Sequence, residues 1–399
     1  MKKLIILGAS QSQVPLIRAA KRLGVETRVL STPGSWPGFA EADSFSHADI
    51  SDPEAVLEEA RAFGADGIAT CCMDTGVLSI GKVCSQMKLK GPSWEAVGLA
   101  RNKYRMKEAF VKAGVRTADF CLVHNEEELE KAVEKLSLPL AVKAVDLMGS
   151  RGIYRCDTPE SARSAFREAV LASGEDYVVV EQFLEGTLFD AEAMIENGKM
   201  VYCMLDNSDL IECSVPTSIG HSIPFLMEEE AGEDARQQVE KAVRSLGLDN
   251  TAVDLDLMYC GGKVYVIEIN PRAGASCLPL IVGCRYGIDY YEALVRLALG
   301  EETASMFSHP DESRACLARM LDAKKDGRIA RIKLPSLPER GGAPARVEDF
   351  SLDVKEGDAV RKYTNGRDRI GQVVISGQSL KACSMLMDEI LSGLELDIQ

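Results

Sequence analysis

The stretch from Val253 to Arg272 constrains this chain more than any other. It reads Val253-Asp254-Leu255-Asp256-Leu257-Met258-Tyr259, a turn at Cys260-Gly261-Gly262, then Lys263-Val264-Tyr265-Val266-Ile267-Glu268-Ile269-Asn270-Pro271-Arg272. Polar residues fall at every second position. The segment therefore predicts a β-hairpin with Asp254 and Asp256 on one face of its first strand, and Glu268, Asn270 and Arg272 on one face of its second. Register decides whether the two faces coincide. A three-residue loop pairs Tyr259 with Lys263 and sets Asp254 opposite Glu268, with Asp256 diagonal to it. A two-residue Gly261-Gly262 turn splits the acids between faces. In the first register like charges crowd together and call for a positive partner. Carboxylates beside an amide suit Mg2+, while a solvated polar face on an amphipathic hairpin explains the same alternation.

A second charged feature lies upstream. Lys143 sits in the apolar run Pro139-Leu140-Ala141-Val142-Lys143-Ala144-Val145, where an unpaired charge costs free energy. The loop that follows, Asp146-Leu147-Met148-Gly149-Ser150-Arg151-Gly152-Ile153, offers backbone amides and a guanidinium to an anion. A snorkelling edge-strand lysine and an ordinary hairpin turn are the plain alternatives.

Around these features the chain alternates short apolar strands with helical stretches. Strands at 4–7, 26–30 and 67–70 and helices at 14–23 and 53–63 predict βαβ units on a parallel sheet. The turn after the first strand, Gly8-Ala9-Ser10-Gln11-Ser12, lacks the GxGxxG of a dinucleotide site. Asn102 reads as the N-cap of a helix over 103–113, followed by strands at 140–145 and 177–183 and a helix at 290–299. A smaller unit from about residue 301 has strand-like segments at 330–334 and 372–375 and a helix near 380–391, with no chemical motif. The fold class is thus α/β and α+β, multidomain.

A length of 399 residues suits two or three domains. The formal charge of −15 repels phosphate backbones and anionic lipid, so neither nucleic acid nor membrane is expected as a partner. The first apolar run is too short for a signal peptide, and no segment approaches the roughly 20 apolar residues of a spanning helix, which points to the cytoplasm. The 12 cysteines include no CxxC pair and read as reduced thiols. His47, His124, His221 and His309 are scattered, which removes an HExxH zinc site and makes a histidine-based triad hard to assemble.

Four ordered motifs carry a family resemblance. They are Asn102-Lys103 before a helix ending Lys112-Ala113-Gly114-Val115; Pro139-Leu140-Ala141-Val142-Lys143 with the Gly149-Ser150-Arg151-Gly152 loop; Val180-Glu181-Gln182-Phe183-Leu184-Glu185-Gly186; and Ile267-Glu268-Ile269-Asn270-Pro271-Arg272. From the first strand to about Gly300 the chain resembles the ATP-grasp superfamily. The nearest branch holds carbamoyl-phosphate synthetase halves, biotin carboxylase, phosphoribosylglycinamide synthetase and dipeptide-forming amino-acid ligases. The resemblance implies a Rossmann-like preATP-grasp domain over 1–100, an ATP-grasp domain over 101–300 with a lid at about 116–185, and a small C-terminal α+β domain over 301–399. It further implies ATP and Mg2+ as cofactors, with Mn2+ as an alternative ion, a homodimer, and small-molecule carboxylate and amine substrates.

Residue by residue, the resemblance gives Lys103 and Lys143 to the ATP phosphates, with Gly149, Ser150, Arg151 and Gly152 closing over them. Glu181 and the backbone of Phe183 and Leu184 would read the adenine edge. Asp256 and Glu268 would hold Mg2+, with Asn270 on a second ion. The spacing of the acidic pair in biotin carboxylase-like members favours Asp256 over Asp254. Arg272 would hold an acyl phosphate. Leu188 stands where related ligases place a ribose-binding acid, and Asp190 or Glu192 would substitute for it. The stretch Gly220-His221-Ser222-Ile223-Pro224 resembles the GHxxP segment bordering the substrate pocket of amino-acid ligases. Ser276 and the small residues before it would take a carboxylate, with Asp74 and Arg285 as further pocket residues. The expected activity is ATP-dependent carboxylate–amine ligation through an acyl phosphate. The alternatives are a carbamoyl-phosphate synthetase-, biotin carboxylase- or phosphoribosylglycinamide synthetase-like reaction, and a non-catalytic ATP sensor.

Overall fold

The structure, a computed structural model, describes residues 1–149, 151–211, 217–338 and 344–399. The chain divides into two compact units. The first comprises Met1–Cys203, Met227–Ala273 and Tyr291–Thr303, and the second Met204–Leu226, Gly274–Tyr290 and Ala304–Gln399.

The first unit opens with β1 (Lys3–Leu7), α1 (Val14–Arg22), β2 (Glu26–Ser31), α2 (Pro37–Glu41), β3 (Ser44–His47), α3 (Pro53–Phe63) and β4 (Gly67–Ala69). The strands form a four-stranded parallel sheet in the order β3-β2-β1-β4. Residues such as Ile5, Leu7, Leu30, Val56 and Ile68 bury its core. Helix α3 starts where Asp52 accepts hydrogen bonds from the amides of Glu54 and Ala55, and it ends at Gly64 with φ 68°, as capping chemistry requires. After α4 (Val77–Met87) and α5 (Trp94–Ala100), Asn102 accepts from the Arg105 amide and starts α6 (Lys103–Lys112).

Next come β5 (Phe120–Val123), α7 (Glu126–Leu136), β6 (Leu140–Ala144), β7 (Ile153–Cys156), α8 (Pro159–Ala172) and β8 (Val178–Gln182). They make an antiparallel sheet, β5-β8-β6-β7, covered by α7 and α8 over Leu129, Val142, Phe166 and Val180. The chain continues as β9 (Thr187–Glu196), β10 (Lys199–Ile211), β11 (Thr217–Ile223), α9 (Glu229–Leu246), β12 (Thr251–Cys260) and β13 (Lys263–Asn270). In the first unit β12 is central, flanked by β9 and β13.

The remaining elements are α10 (Leu278–Tyr286), α11 (Tyr290–Ala298), β14 (Ala315–Asp322), β15 (Gly327–Lys333), β16 (Ala345–Leu352), β17 (Ala359–Val360), β18 (Arg369–Gly377), α12 (Leu380–Gly393) and β19 (Glu395–Ile398). Within the second unit the strands run β11-β14-β18-β16 and β17-β15-β19, and α12 buries Cys383, Met387 and Ile390 in their core. Among the described residues no helix is long and apolar enough to cross a membrane, and every described cysteine is a free thiol.

Candidate active site

The hairpin forms, and its register combines features of both sequence alternatives. Cys260 pairs with Lys263, so the turn is the two-residue Gly261-Gly262. Both glycines have positive φ, 58° and 77°, the backbone that favours such a turn. By period two alone this turn would send the acids to opposite faces. A β-bulge between Asp256 and Leu257 corrects the phase, because Leu257 faces Val266 while Asp256 faces Glu268 and Asp254 faces Asn270. The extra residue is Ile267.

On its other side β12 pairs with β9, with Asp254 opposite Glu192 and Asp256 opposite Asp190. Directly opposed residues share a face. Two rungs of polar side chains therefore cross three strands: Glu192, Asp254 and Asn270 on one, Asp190, Asp256 and Glu268 on the next. Asp190 and Glu192, the residues expected near a ribose, stand on this acidic face. All are buried except the partly buried Asp256.

Cations meet the face at two points. Arg272 Nε donates to Asp74 at 2.7 Å, and its Nη1 donates to Asp254. Arg272 is only 8% exposed. Burial works against its charge, yet Asp74 and Asp254 hold its pKa well above the ordinary guanidinium value. Expected to grip an acyl phosphate, Arg272 is thus clamped first by two carboxylates. The second cation is Lys103, whose Nζ lies 3.4 Å from Glu268 and donates to the Leu147 carbonyl. Its backbone amide donates to Val145 at 2.9 Å, so the first turn of α6 is pinned to the loop after β6.

Asp256 is left over. Among the described residues its carboxylate has no hydrogen bond or ion pair, and burial, followed by repulsion from Asp190, Asp254 and Glu268, pushes its pKa well above 3.8. Nearby, the Asn270 side-chain oxygen is buried without a hydrogen-bond partner among the described residues. A crowded carboxylate set with an orphaned amide oxygen has the hard donors that a divalent cation such as Mg2+ takes, so these residues fit the ion.

The raised pKa of Asp256 gives a signed expectation. A carboxyl whose folded pKa exceeds its unfolded value destabilises the fold when ionised, and the penalty is relieved as pH falls through the folded value. Glu181 and Asp74 are shifted the opposite way; burial opposes the shift, but Lys107 and Lys143 lower the first and Arg272 the second. Their contributions are lost only as pH falls below 4.5 and 3.8, the ordinary values. The free chain should therefore melt at a higher temperature at mildly acidic pH than at neutral pH, and adding Mg2+ should narrow the difference. Thermal unfolding across pH with and without Mg2+ checks this.

The lysines lie on the second sheet of the first unit. Glu181 of β8 sits directly opposite Ala141 of β6, so Lys143, two residues along, is its diagonal neighbour on the same face. Lys143 Nζ pairs with Glu181 Oε1. The other carboxylate oxygen pairs at 2.7 Å with Lys107 of α6, which no sequence motif singles out. Its only signal was the i, i+4 spacing from Lys103, which puts both on one helix face. Both oxygens of the Glu181 carboxylate thus face lysines. The Phe183 amide donates to the Pro139 carbonyl at 3.0 Å.

In the loop after β6, Gly149 and Gly152 have φ of 67° and 64°, a region other residues rarely adopt. A Cβ on Gly152 would stand 2.8 Å from that of Ala144. Arg151 Nε donates to the Met148 carbonyl at 3.0 Å, and Ser150 lies outside the described residues.

His221 and Ser276 belong to the second unit. His221 is buried, with Nδ1 2.8 Å from Asp206 and Nε2 3.1 Å from the Ser218 hydroxyl. The scattered histidines had made such a chain hard to expect, yet β10 and β11 assemble it. Ser276 and Cys277 both have positive φ, 55° and 73°, just before α10. Arg285 donates to the Asp311 carbonyl at 3.2 Å and pairs with Glu312.

Residues 100–276 match the ATP-grasp domain family, and residues 319–399 match the L-amino acid ligase C-terminal domain 2. The chain superposes over its full length on all of the phosphoribosylglycinamide synthetase of Anaerococcus prevotii, with a TM-score of 0.84 and 34% identity. It also superposes on 99% of the L-amino acid ligase of Bacillus licheniformis, with a TM-score of 0.82; at 21% identity this likeness concerns the fold. It is 26% identical over 288 residues to the alanine–anticapsin ligase of Bacillus subtilis, spanning 64% of this chain and 60% of that one. The chain belongs to the ATP-grasp family and is a ligase of the kind that forms carbon–nitrogen bonds.

Proposed function

We propose that this ligase activates the carboxylate of an amino acid as an acyl phosphate at the expense of ATP and joins it to an amine. The observation that carries the reading is the presence in one unit of an acidic face, on which Asp256 has no partner among the described residues, and of Lys103 and Lys143. On this reading residues 1–100 form a Rossmann-like preATP-grasp domain, 101–300 the ATP-grasp domain with a lid at 116–185, and 301–399 a C-terminal domain.

Lys103, Lys143 and Arg151 neutralise the triphosphate, with the amides of Gly149 and Gly152 beside it. Glu181 and the backbone of Phe183 and Leu184 read the adenine edge. Asp256, Glu268 and Asn270 would hold Mg2+, or Mn2+ in its place, and the ion would supply charge neutralisation to the triphosphate. A carboxylate oxygen of the substrate attacks the γ-phosphorus and ADP departs. The amine then attacks the acyl carbon, loses a proton, and phosphate leaves with the former carboxylate oxygen. Arg272, held rigid by Asp74 and Asp254, supplies positive charge beside the oxyanion that develops. No side-chain nucleophile takes part.

His221 and Ser276 are assigned to the substrate pocket, with the tautomer of His221 fixed by Asp206. An amino-acid substrate is favoured by the match of residues 319–399 and by the alanine–anticapsin ligase. A phosphoribosylglycinamide synthetase-like reaction is the second reading, favoured by 34% identity over the full chain. Both readings concern an amino-acid carboxylate. We assign the enzyme to the cytoplasm, as a homodimer acting on small molecules.

The test is ATP turnover with Mg2+ against single amino acids, amino-acid pairs and glycine with phosphoribosylamine. Amine-dependent release of ADP and phosphate supports the reading and identifies the substrate class. Release of AMP contradicts the mechanism, and tight ATP binding with no turnover points to a sensor.

A further inference from the structure

Lys107 is the most completely enclosed cation of the lysine group, 1% exposed, and the proposed chemistry gives it no task. Its ammonium faces Glu181 at 2.7 Å, the Thr117 hydroxyl at 2.6 Å and the Phe120 ring at 5.6 Å from the centroid. An ion pair, a hydroxyl and a ring thus enclose the ammonium, and no exposed face is left for a substrate. Lys143 differs, because among the described residues its ammonium has Glu181 alone. Both lysines and the carboxylate are buried, at 1%, 6% and 3% exposure. Two ammonium groups share one carboxylate, so one positive charge is left that Glu181 does not offset, and Lys143 is the lysine with fewer partners.

We propose that Lys107 is a positioning residue for nucleotide binding: by taking one oxygen of Glu181 it keeps that carboxylate from closing a neutral pair with Lys143, which stays charged and open to phosphate. Sharing weakens the hold of Glu181 on either lysine, since each faces a single oxygen. It also ties α6, whose first residue is Lys103, to β8 and β6 through one buried carboxylate. The two phosphate-facing lysines are thereby held at a fixed spacing.

This inference rests on the reading that Lys143 meets the nucleotide phosphates, so its experiment separates the two. The probe is MgADP, titrated calorimetrically into the full-length chain, with KM for ATP and kcat measured on the same variants. Lys107→Met should weaken MgADP binding and raise KM for ATP by about tenfold, the scale of one charge-assisted hydrogen bond, with kcat changed far less. Lys107→Arg should recover most of the loss. Adding Glu181→Gln to Lys107→Met should also recover binding, because the carboxylate that captures Lys143 is then gone; a merely structural role for Lys107 predicts a further loss. Should Lys107→Met not fold, the double variant is compared with Glu181→Gln alone. Equal MgADP affinity supports the proposal, and weaker binding by the double variant overturns it, since Lys107 would then act on the nucleotide itself. Wild-type affinity in Lys107→Met also overturns it. If Lys143→Met binds MgADP unchanged, the phosphate reading itself fails whatever Lys107 does.

Discussion

Replacing Arg272 with leucine is expected to destabilise the first unit by about 3–5 kcal/mol, the usual cost of removing one partner from a buried ion pair, and to abolish turnover. The size follows from what is left behind. Asp74 and Asp254 lose their shared cation, while Asp254 stays beside Asp190, which already helps raise its pKa after the larger effect of burial. Arg272→Lys keeps the charge but not the fork, and one ammonium cannot replace both donations, so it should fall between. Thermal and urea unfolding of the three proteins check this. An Arg272→Leu variant that unfolds with the wild type would remove the clamp from the account. The acidic face would then need another source of compensation.

The second large effect should be catalytic. Glu268→Gln keeps the volume of a buried side chain but removes a carboxylate from the rung of Asp190 and Asp256. Turnover should fall at least about a hundredfold, as when a group stabilising transferring charge is lost. The unfolding temperature should change little, because relief of repulsion with Asp256 offsets the lost pairing with Lys103. Mg2+ titrations of activity should move to higher concentration in the same variant. Full activity in Glu268→Gln would sink the metal assignment. The two variants thus separate stability from chemistry, since one unfolds the site and the other leaves it folded and inactive.

Much of this was readable before any coordinates. The alternation over residues 253–272 announced a hairpin with clustered acids, and strands and helices near residues 4–7, 53–63 and 103–113 appear as β1, α3 and α6. Local signals were strong there, because apolar periodicity and N-caps such as Asp52 and Asn102 act over a few residues. The hairpin register was not readable. Gly261-Gly262 dictated the tight turn, but the bulge at Ile267 arises from pairing across strands, which local sequence does not specify. Partners distant in sequence were equally hidden. Arg272 meets Asp74 across 198 positions. The Lys107–Glu181 pair joins α6 to β8 across 74 positions and carries no local sequence signal. The hydrogen bonds of His221 with Asp206 and Ser218 depend on how β10 and β11 pair, which four scattered histidines do not announce.

The central claim is that a carboxylate is activated by phosphoryl transfer. Its most direct test labels both carboxylate oxygens of the accepted amino acid with 18O and follows the label through one round of ligation by mass spectrometry. An acyl phosphate hands one carboxylate oxygen to the departing phosphate, so the account predicts one 18O in inorganic phosphate per amide formed and none in the nucleotide. Label in AMP, or unlabelled phosphate beside a formed amide, would contradict it.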